Sequence, residues 1–209
     1  MRPRHYTKSL LAAAGLVALV AFAAEEAFAP GQPALLTCLP DEVVDAVVPD
    51  PLDPQQRTLA SHLARRFQVA GEGAGLAVFA AYRAAHEVGL DPLLVLAMIS
   101  IESSFNPAAE SSMGAKGLMQ IIPRFHLAKL EAHGGEEAVL DPESNIVVGT
   151  RILQEYVRRT GSLEAGLQQY NGASRDEFGQ YSQKVMAERS RLERVLRRTQ
   201  VTAIDSQGG

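Results

Sequence analysis

Cysteine is nearly missing from this 209-residue chain. Cys38 is the only one, so no internal disulfide can form, and a cysteine-rich zinc site or a paired redox centre is excluded. The histidines are few and scattered: His5, His62, His86, His126 and His133. His86-Glu87 has no second histidine four residues on, which excludes the zinc-protease helix, and each lone histidine reads as a surface or packing residue. No G-x-S-x-G elbow, no S-x-x-K near the core and no phosphate loop is present, which excludes the corresponding serine and nucleotide chemistries. Positive charge is not in excess: 20 Lys and Arg stand against 24 Asp and Glu, a balance of −4, where a general nucleic-acid binder would be basic. No alternating strand of convincing length and no internal repeat can be found. Long apolar runs are limited to residues 10–24, fifteen residues, too short for a comfortable membrane span.

That run has a use at its place in the chain. Residues 1–29 combine basic Arg2, Arg4 and Lys8 with the apolar stretch and with small-residue cleavage sites at Ala27-Phe28-Ala29 or Ala21-Phe22-Ala23. This is the layout of a signal peptide, or of an uncleaved N-terminal anchor, and it implies export to the periplasm or cell envelope. Without the leader the charge balance becomes one unit more negative. Residues 30–54 hold six prolines and read as a linker or wrapping arm. Cys38 lies in it, after Thr37, which is too large for a lipoprotein box. It reads as an incidental linker thiol.

Residues 55–200 read as one all-α domain, large enough for a single hydrophobic core. Apolar residues recur with helical spacing over residues 55–69 and 75–88. Asp91-Pro92 and Asp141-Pro142 are helix starts, the second opening a helix to about Arg159. Ser162 caps a helix ending near Tyr170, and residues 176–198 form a last, charged helix with a solvated basic face. Residues 132–140 read as a loop and 201–209 as a polar tail.

The third helix ends in Glu102, which closes the run D-P-L-L-V-L-A-M-I-S-I-E-S-S-F. Val95, Met98 and Ile99 share its face, so the carboxyl group terminates an apolar stripe. Desolvation there favours the protonated form and suits a general acid. A Glu on the polar flank of the same helix would simply be solvated, and the helix alone leaves both readings open. Asn106 and Pro107 then break the helix. A loop of small residues with Gly114 and Gly117 leads into Leu118-Met119-Gln120-Ile121-Ile122. The amide of Gln120 in this apolar run needs a partner, either backbone or a polar ligand such as a sugar.

Glu102-Ser103-Ser104-Phe105-Asn106-Pro107, followed by Gly114-Ala115-Lys116-Gly117-Leu118-Met119-Gln120, resembles the signature of the soluble lytic transglycosylases. Asn145-Ile146 with Gly149, the pair Tyr170-Asn171, and Tyr181 resemble later motifs of that family in the same order, over roughly residues 76–186. Two departures concern the groove. Gly172 and Ala173 are swapped relative to the family pattern, and the stretch between Asn171 and Tyr181 is short. The resemblance implies a lysozyme-like, mainly α fold with a substrate groove. It implies cleavage of the β-1,4 bond between N-acetylmuramic acid and N-acetylglucosamine in peptidoglycan.

By the same resemblance a single acid works alone. Glu102 would protonate the glycosidic oxygen, then accept a proton from the muramyl 6-hydroxyl as a 1,6-anhydro ring closes. No metal or cofactor is required. Gln120 and Asn171 would hydrogen-bond substrate groups, and Met119 would line the groove. Tyr170 and Tyr181 would offer ring faces to sugar and hydroxyls to Glu102. Ser103 could bond to the backbone of the glycine loop, and Glu177 would be supportive. The partners implied are peptidoglycan glycan strands, with no nucleic acid, and membrane contact only through an uncleaved N-terminal segment. A hydrolytic lysozyme, or a non-catalytic wall-binding part of an envelope-spanning secretion or pilus machine, are the alternatives.

Overall fold

The computed structural model describes residues 52–172 and 179–205. The leader, most of the proline-rich arm including Cys38, Ala173, Glu177 and the last four residues lie outside the described residues. Helix starts follow the capping chemistry in the sequence. Asp53 accepts from the amides of Gln55 and Gln56 and opens α1, Pro54–Phe67, with Gln56 completing a capping box. Asp91 accepts from the Leu93 amide at the start of α3, Pro92–Glu102, and Asp141 from the Ser144 amide at the start of α5, Pro142–Thr160. Ser162 does the same for α6, Leu163–Tyr170, through the Ala165 amide. Between α1 and α3, α2 runs over Gly71–Val88, starting four residues earlier than the apolar spacing predicts. A short α4, Leu127–Leu130, precedes α5, and α7, Gln180–Asp205, closes the described chain.

Alanine decides how the first helices meet. Ala74, Ala77, Ala80, Ala81, Ala84 and Ala85 are all buried on α2, so neighbouring backbones can approach closely. α2 packs on α1, α3 and α5, α5 carries α6, and α7 lies across α3 and α1. The helix α3 differs from the amphipathic stripe expected of it. Every residue from Leu94 to Ser100 is buried, so α3 is the hydrophobic centre of the bundle, apolar nearly all round. The one hydroxyl there, Ser100 Oγ, donates back to the Leu96 carbonyl at 2.9 Å.

The connection from α3 to α5 is irregular but ordered by its own hydrogen bonds. Ser104, Phe105 and Gln120 take positive φ angles of 52°, 62° and 48°. Isolated antiparallel bridges pair Glu110 with Lys116 and Lys116 with Ile121, and no strand forms among the described residues. The stretch read as a loop at 132–140 contains short 3-10 turns at Glu131–His133 and Glu136–Leu140. Two ion pairs pin α7: Arg189 to the α3 cap Asp91, and Arg66 of α1 to the buried Glu188. They fix the helix that carries Tyr181.

Candidate active site

Glu102 is the last residue of α3, half-buried where the core opens. Its stem follows Met98 and Ile99 out of the hydrophobic centre, while its carboxyl group faces a cavity of about 300 Å³ shared with Ile101, Asn171, Gln180, Tyr181 and Lys184. Burial raises the carboxyl above its ordinary range. The C-terminal end of a helix, with its unpaired carbonyls, acts in the same direction. Tyr181 works against this shift, because its hydroxyl donates to Glu102 Oε1 and favours the charged form. Tyr181 is itself held far above the usual phenol range by burial and by Glu102, so it remains a donor. The pair therefore presents a carboxyl group that is easily neutral, oriented by a hydroxyl that does not ionise.

The other wall is built around the backbone of Met119. Asn145 is fully buried on α5 and makes three bonds into this wall. Its Oδ1 accepts from the Met119 amide at 2.7 Å, and its Nδ2 donates to the carbonyls of Lys116 at 3.0 Å and Val139 at 2.8 Å. Tyr170 Oη donates to the Met119 carbonyl at 2.9 Å. The Gln120 amide nitrogen donates to the carbonyls of Ala109 and Gly117, at 3.1 and 3.0 Å. Gly117, at φ 76°, leaves no room for a Cβ, which would sit 2.8 Å from the Val139 carbonyl.

Four expected roles change with this geometry. Met119 is 0% exposed and does not line the groove; its sulfur packs in the core beside Thr150, and its contribution is its backbone. Ser103 Oγ donates to Ile99 of its own helix, not to the glycine loop, because it caps the helix end. The Tyr170 hydroxyl is consumed by Met119 and does not orient Glu102. The Tyr181 ring is buried, so it has no face for a sugar, and only its hydroxyl reaches the site. Gln120 reaches the cleft, but its nitrogen is spent on backbone, which leaves its oxygen for a ligand. Asn171 is exposed and lies where the Glu102 cavity meets a second one of about 270 Å³, lined by Gln120, Ile122, Phe125, His126, Tyr156 and Tyr170 among others.

A family model for the transglycosylase SLT domain matches residues 79–189, more than half of the chain. The chain belongs to the transglycosylase SLT domain family. It is 37% identical over 91 residues to the transglycosylase of Enterobacteria phage PRD1, covering 44% of this chain and 32% of that protein. It is 34% identical over 108 residues to the membrane-bound lytic murein transglycosylase C of Photorhabdus laumondii, covering 44% and 30%. It is 34% identical over 109 residues to the soluble lytic murein transglycosylase of Escherichia coli K12, covering 50% and 16%. Among solved structures, an inactive variant of the lytic transglycosylase Slt from Pseudomonas aeruginosa matches with a TM-score of 0.50 and 21% identity, over 56% of this chain and 24% of that one. The likeness in structure supports the helical, lysozyme-like fold. The chain spans a third or less of the length of each of these relatives.

The SLT match runs from within α2 to the first half of α7, so it contains Glu102, both cavities and the Asn145 wall. Inside it, sequence reasoning missed Tyr156, whose ring packs edge-on against Tyr170 with centroids 6.3 Å apart, and the exposed Phe125 at the lip of the second cavity. It also missed Lys184. Spacing offered a signal for that residue, which stands three positions after Tyr181 on the same helix face.

Gly149 explains how closely the SLT wall packs. A Cβ there would lie 2.7 Å from Met119 Sδ, 2.8 Å from Met119 Cβ and 3.0 Å from Tyr170 Oη. In an open helix interior Gly→Ala is favourable by roughly 1 kcal/mol. Here overpacking costs about 1–3 kcal/mol, so the balance reverses. Gly149→Ala should lower the thermal midpoint by a few degrees and disturb the Tyr170–Met119 bond, as read by calorimetry and by near-ultraviolet circular dichroism.

Proposed function

We propose that this protein is a peptidoglycan lytic transglycosylase that cleaves the β-1,4 bond between N-acetylmuramic acid and N-acetylglucosamine and leaves a 1,6-anhydro-muramyl end. One observation carries the reading. The Glu102 cavity offers a single, partly desolvated carboxyl group, and no other carboxylate is among its described lining residues. A glycosidase that uses water flanks the bond with two carboxyl groups, about 5–5.5 Å or 6.5–9.5 Å apart. Among the described residues the other candidate acids are engaged elsewhere or exposed: Asp141 caps α5, Glu143 pairs with Arg83, and Glu110 lies exposed on the loop, while Asp176 and Glu177 lie outside the described residues. With one acid, the second half of the reaction needs a nucleophile from the substrate itself, and the muramyl 6-hydroxyl can supply it. Glu102 gives its proton to the departing glycosidic oxygen and then takes the 6-hydroxyl proton as the ring closes. Protons balance and no water is consumed.

Tyr181 acts as a positioning residue, holding Oε1 so that the other oxygen meets the bond. Asn171 and the Gln120 oxygen are placed for acetamido or hydroxyl groups on either side. The names of the relatives, lytic murein transglycosylases both soluble and membrane-bound, agree with this chemistry and with action in the cell envelope. The signal-like residues 1–29 support export. The deciding experiment is digestion of purified sacculi with masses of the products. Muropeptides one water lighter than the hydrolysed forms support the reading, and hydrolysed forms alone would make the protein a lysozyme instead.

The pH profile carries a further expectation. The first step needs protonated Glu102, so kcat/KM falls as pH rises through the raised Glu102 pKa. The Tyr181 hydrogen bond lowers that pKa. Tyr181→Phe should therefore move the alkaline limb to higher pH while lowering the maximum by roughly tenfold, less than the about 10²–10⁴-fold that loss of the acid itself would cost. A limb that stays put would show that Glu102 does not set it.

A further inference from the structure

The Glu102 cavity holds a second ionisable group. Lys184 follows Tyr181 by three residues on α7, so the two side chains share a face, and both line the cavity with Asn171 and Gln180. Lys184 is exposed and has no ion-pair partner among the described residues. Further along the same helix, Arg189 is held by Asp91 and Arg197 by Glu193. Glu102 is not a partner either; its carboxyl is engaged by Tyr181, and burial favours its neutral form. When Glu102 is neutral, Lys184 is the only charge among the described lining residues. The chain as a whole is acidic, so a general pull on polyanions does not account for a cation at this point.

We propose that Lys184 recognises a carboxylate on the glycan strand, next to the bond that Glu102 cleaves. This rests on the transglycosylase reading for the identity of the polymer. Two carboxylates could meet the ammonium group: the lactyl carboxylate of a bare muramyl sugar, or a carboxylate of the stem peptide where the lactyl group is amide-linked. Lys184 makes the site selective for an acidic glycan over a neutral one with the same backbone.

The test measures binding separately from lysis. In a Glu102→Gln background, Lys184→Gln and Lys184→Arg proteins are cosedimented with purified sacculi, with helical content checked by circular dichroism. Lys184→Gln should weaken binding about two- to fivefold, the range of a solvent-exposed ion pair, and Lys184→Arg should keep it. On sacculi whose carboxyl groups have been converted to amides, the parent should drop to the level of Lys184→Gln. Equal binding of parent and Lys184→Gln to native sacculi overturns the proposal, and so does a difference that persists on amidated sacculi. Amidase stripping removes the stem peptide and frees the lactyl carboxylate, so a surviving difference there shows that Lys184 also takes the lactyl carboxylate, and a lost one restricts it to the stem peptide. Failure of the wild-type protein to release anhydro-muropeptides would refute the enzymatic reading while leaving this binding result to stand or fall by itself.

Discussion

Glu102→Gln should abolish release of anhydro-muropeptides from sacculi while the protein stays folded. General acid catalysis contributes about 10²–10⁴-fold, and here the same group is asked to serve both proton transfers, so the loss should reach the upper part of that range. Gln keeps the shape and leaves an oxygen to accept the Tyr181 hydroxyl, but it has no proton to give. Stability should move the other way. The folded-state pKa of Glu102 is raised by burial, so the wild-type carboxyl contributes most favourably below the ordinary carboxylate value. That contribution is lost as pH rises toward the raised pKa. The variant cannot titrate, so its stability relative to wild type should improve between acid and neutral pH. Denaturant midpoints across that window, measured beside the activity assay, check both halves at once. Retained activity would remove Glu102 from the mechanism, and a variant that unfolds would show that the carboxyl group is structural.

How far the sequence could be read depended on whether a residue sat in a periodic element. Asp91, Asp141 and Ser162 could be recognised as helix starts because capping is a local bargain between one side chain and amides two or three residues on, and all three make those bonds. Tyr181 and Glu102 are 79 positions apart, and their meeting came from motif resemblance, not from spacing. The loop wall was harder. Nothing in L-M-Q-I-I says which side chain turns inward, because the chain passes through a positive φ at Gln120 and follows neither the helical nor the strand period. The sequence therefore points Met119 at the groove, whereas its side chain belongs to the core. Ser103 is ambiguous for a similar reason: its position at a helix end is visible, but its choice of the Ile99 carbonyl over the glycine loop depends on where α3 stops. The full burial of α3 is not legible in its own sequence, because a single helix cannot report that both α2 and α7 cover it.

Asn145 should be the residue on which this wall fails most completely. Its side chain is 0% exposed and serves three backbone groups from two segments, the Met119 amide and the carbonyls of Lys116 and Val139. A buried polar group left unpaired costs about 1–3 kcal/mol. Asn145→Leu strands the Met119 amide and the Val139 carbonyl, while the Lys116 carbonyl keeps the Ile121 amide, and it admits no water, so it should cost about 2–5 kcal/mol, a large part of the stability of an ordinary domain. Asn145→Ala leaves a small polar space that a water could enter, with three groups to hold it, and should be milder. Asn145→Asp separates hydrogen bonding from shape. Its carboxylate can still accept from Met119 but would face two carbonyl oxygens, so burial and repulsion raise its pKa. The penalty on the folded state is then fully present above that raised pKa and fades as pH falls, when a protonated oxygen can donate to one carbonyl. Relative to wild type, the Asp variant should regain stability in acid while the Leu variant stays flat. Chemical denaturation at several pH values separates them. Activity per folded molecule should fall in all three, because the Met119 carbonyl that holds Tyr170 and the turn that aims Gln120 depend on the same side chain. If Asn145→Leu were as stable as wild type, the wall would have to be held by apolar packing alone, and the placement of Gln120 and Tyr170 would need another cause.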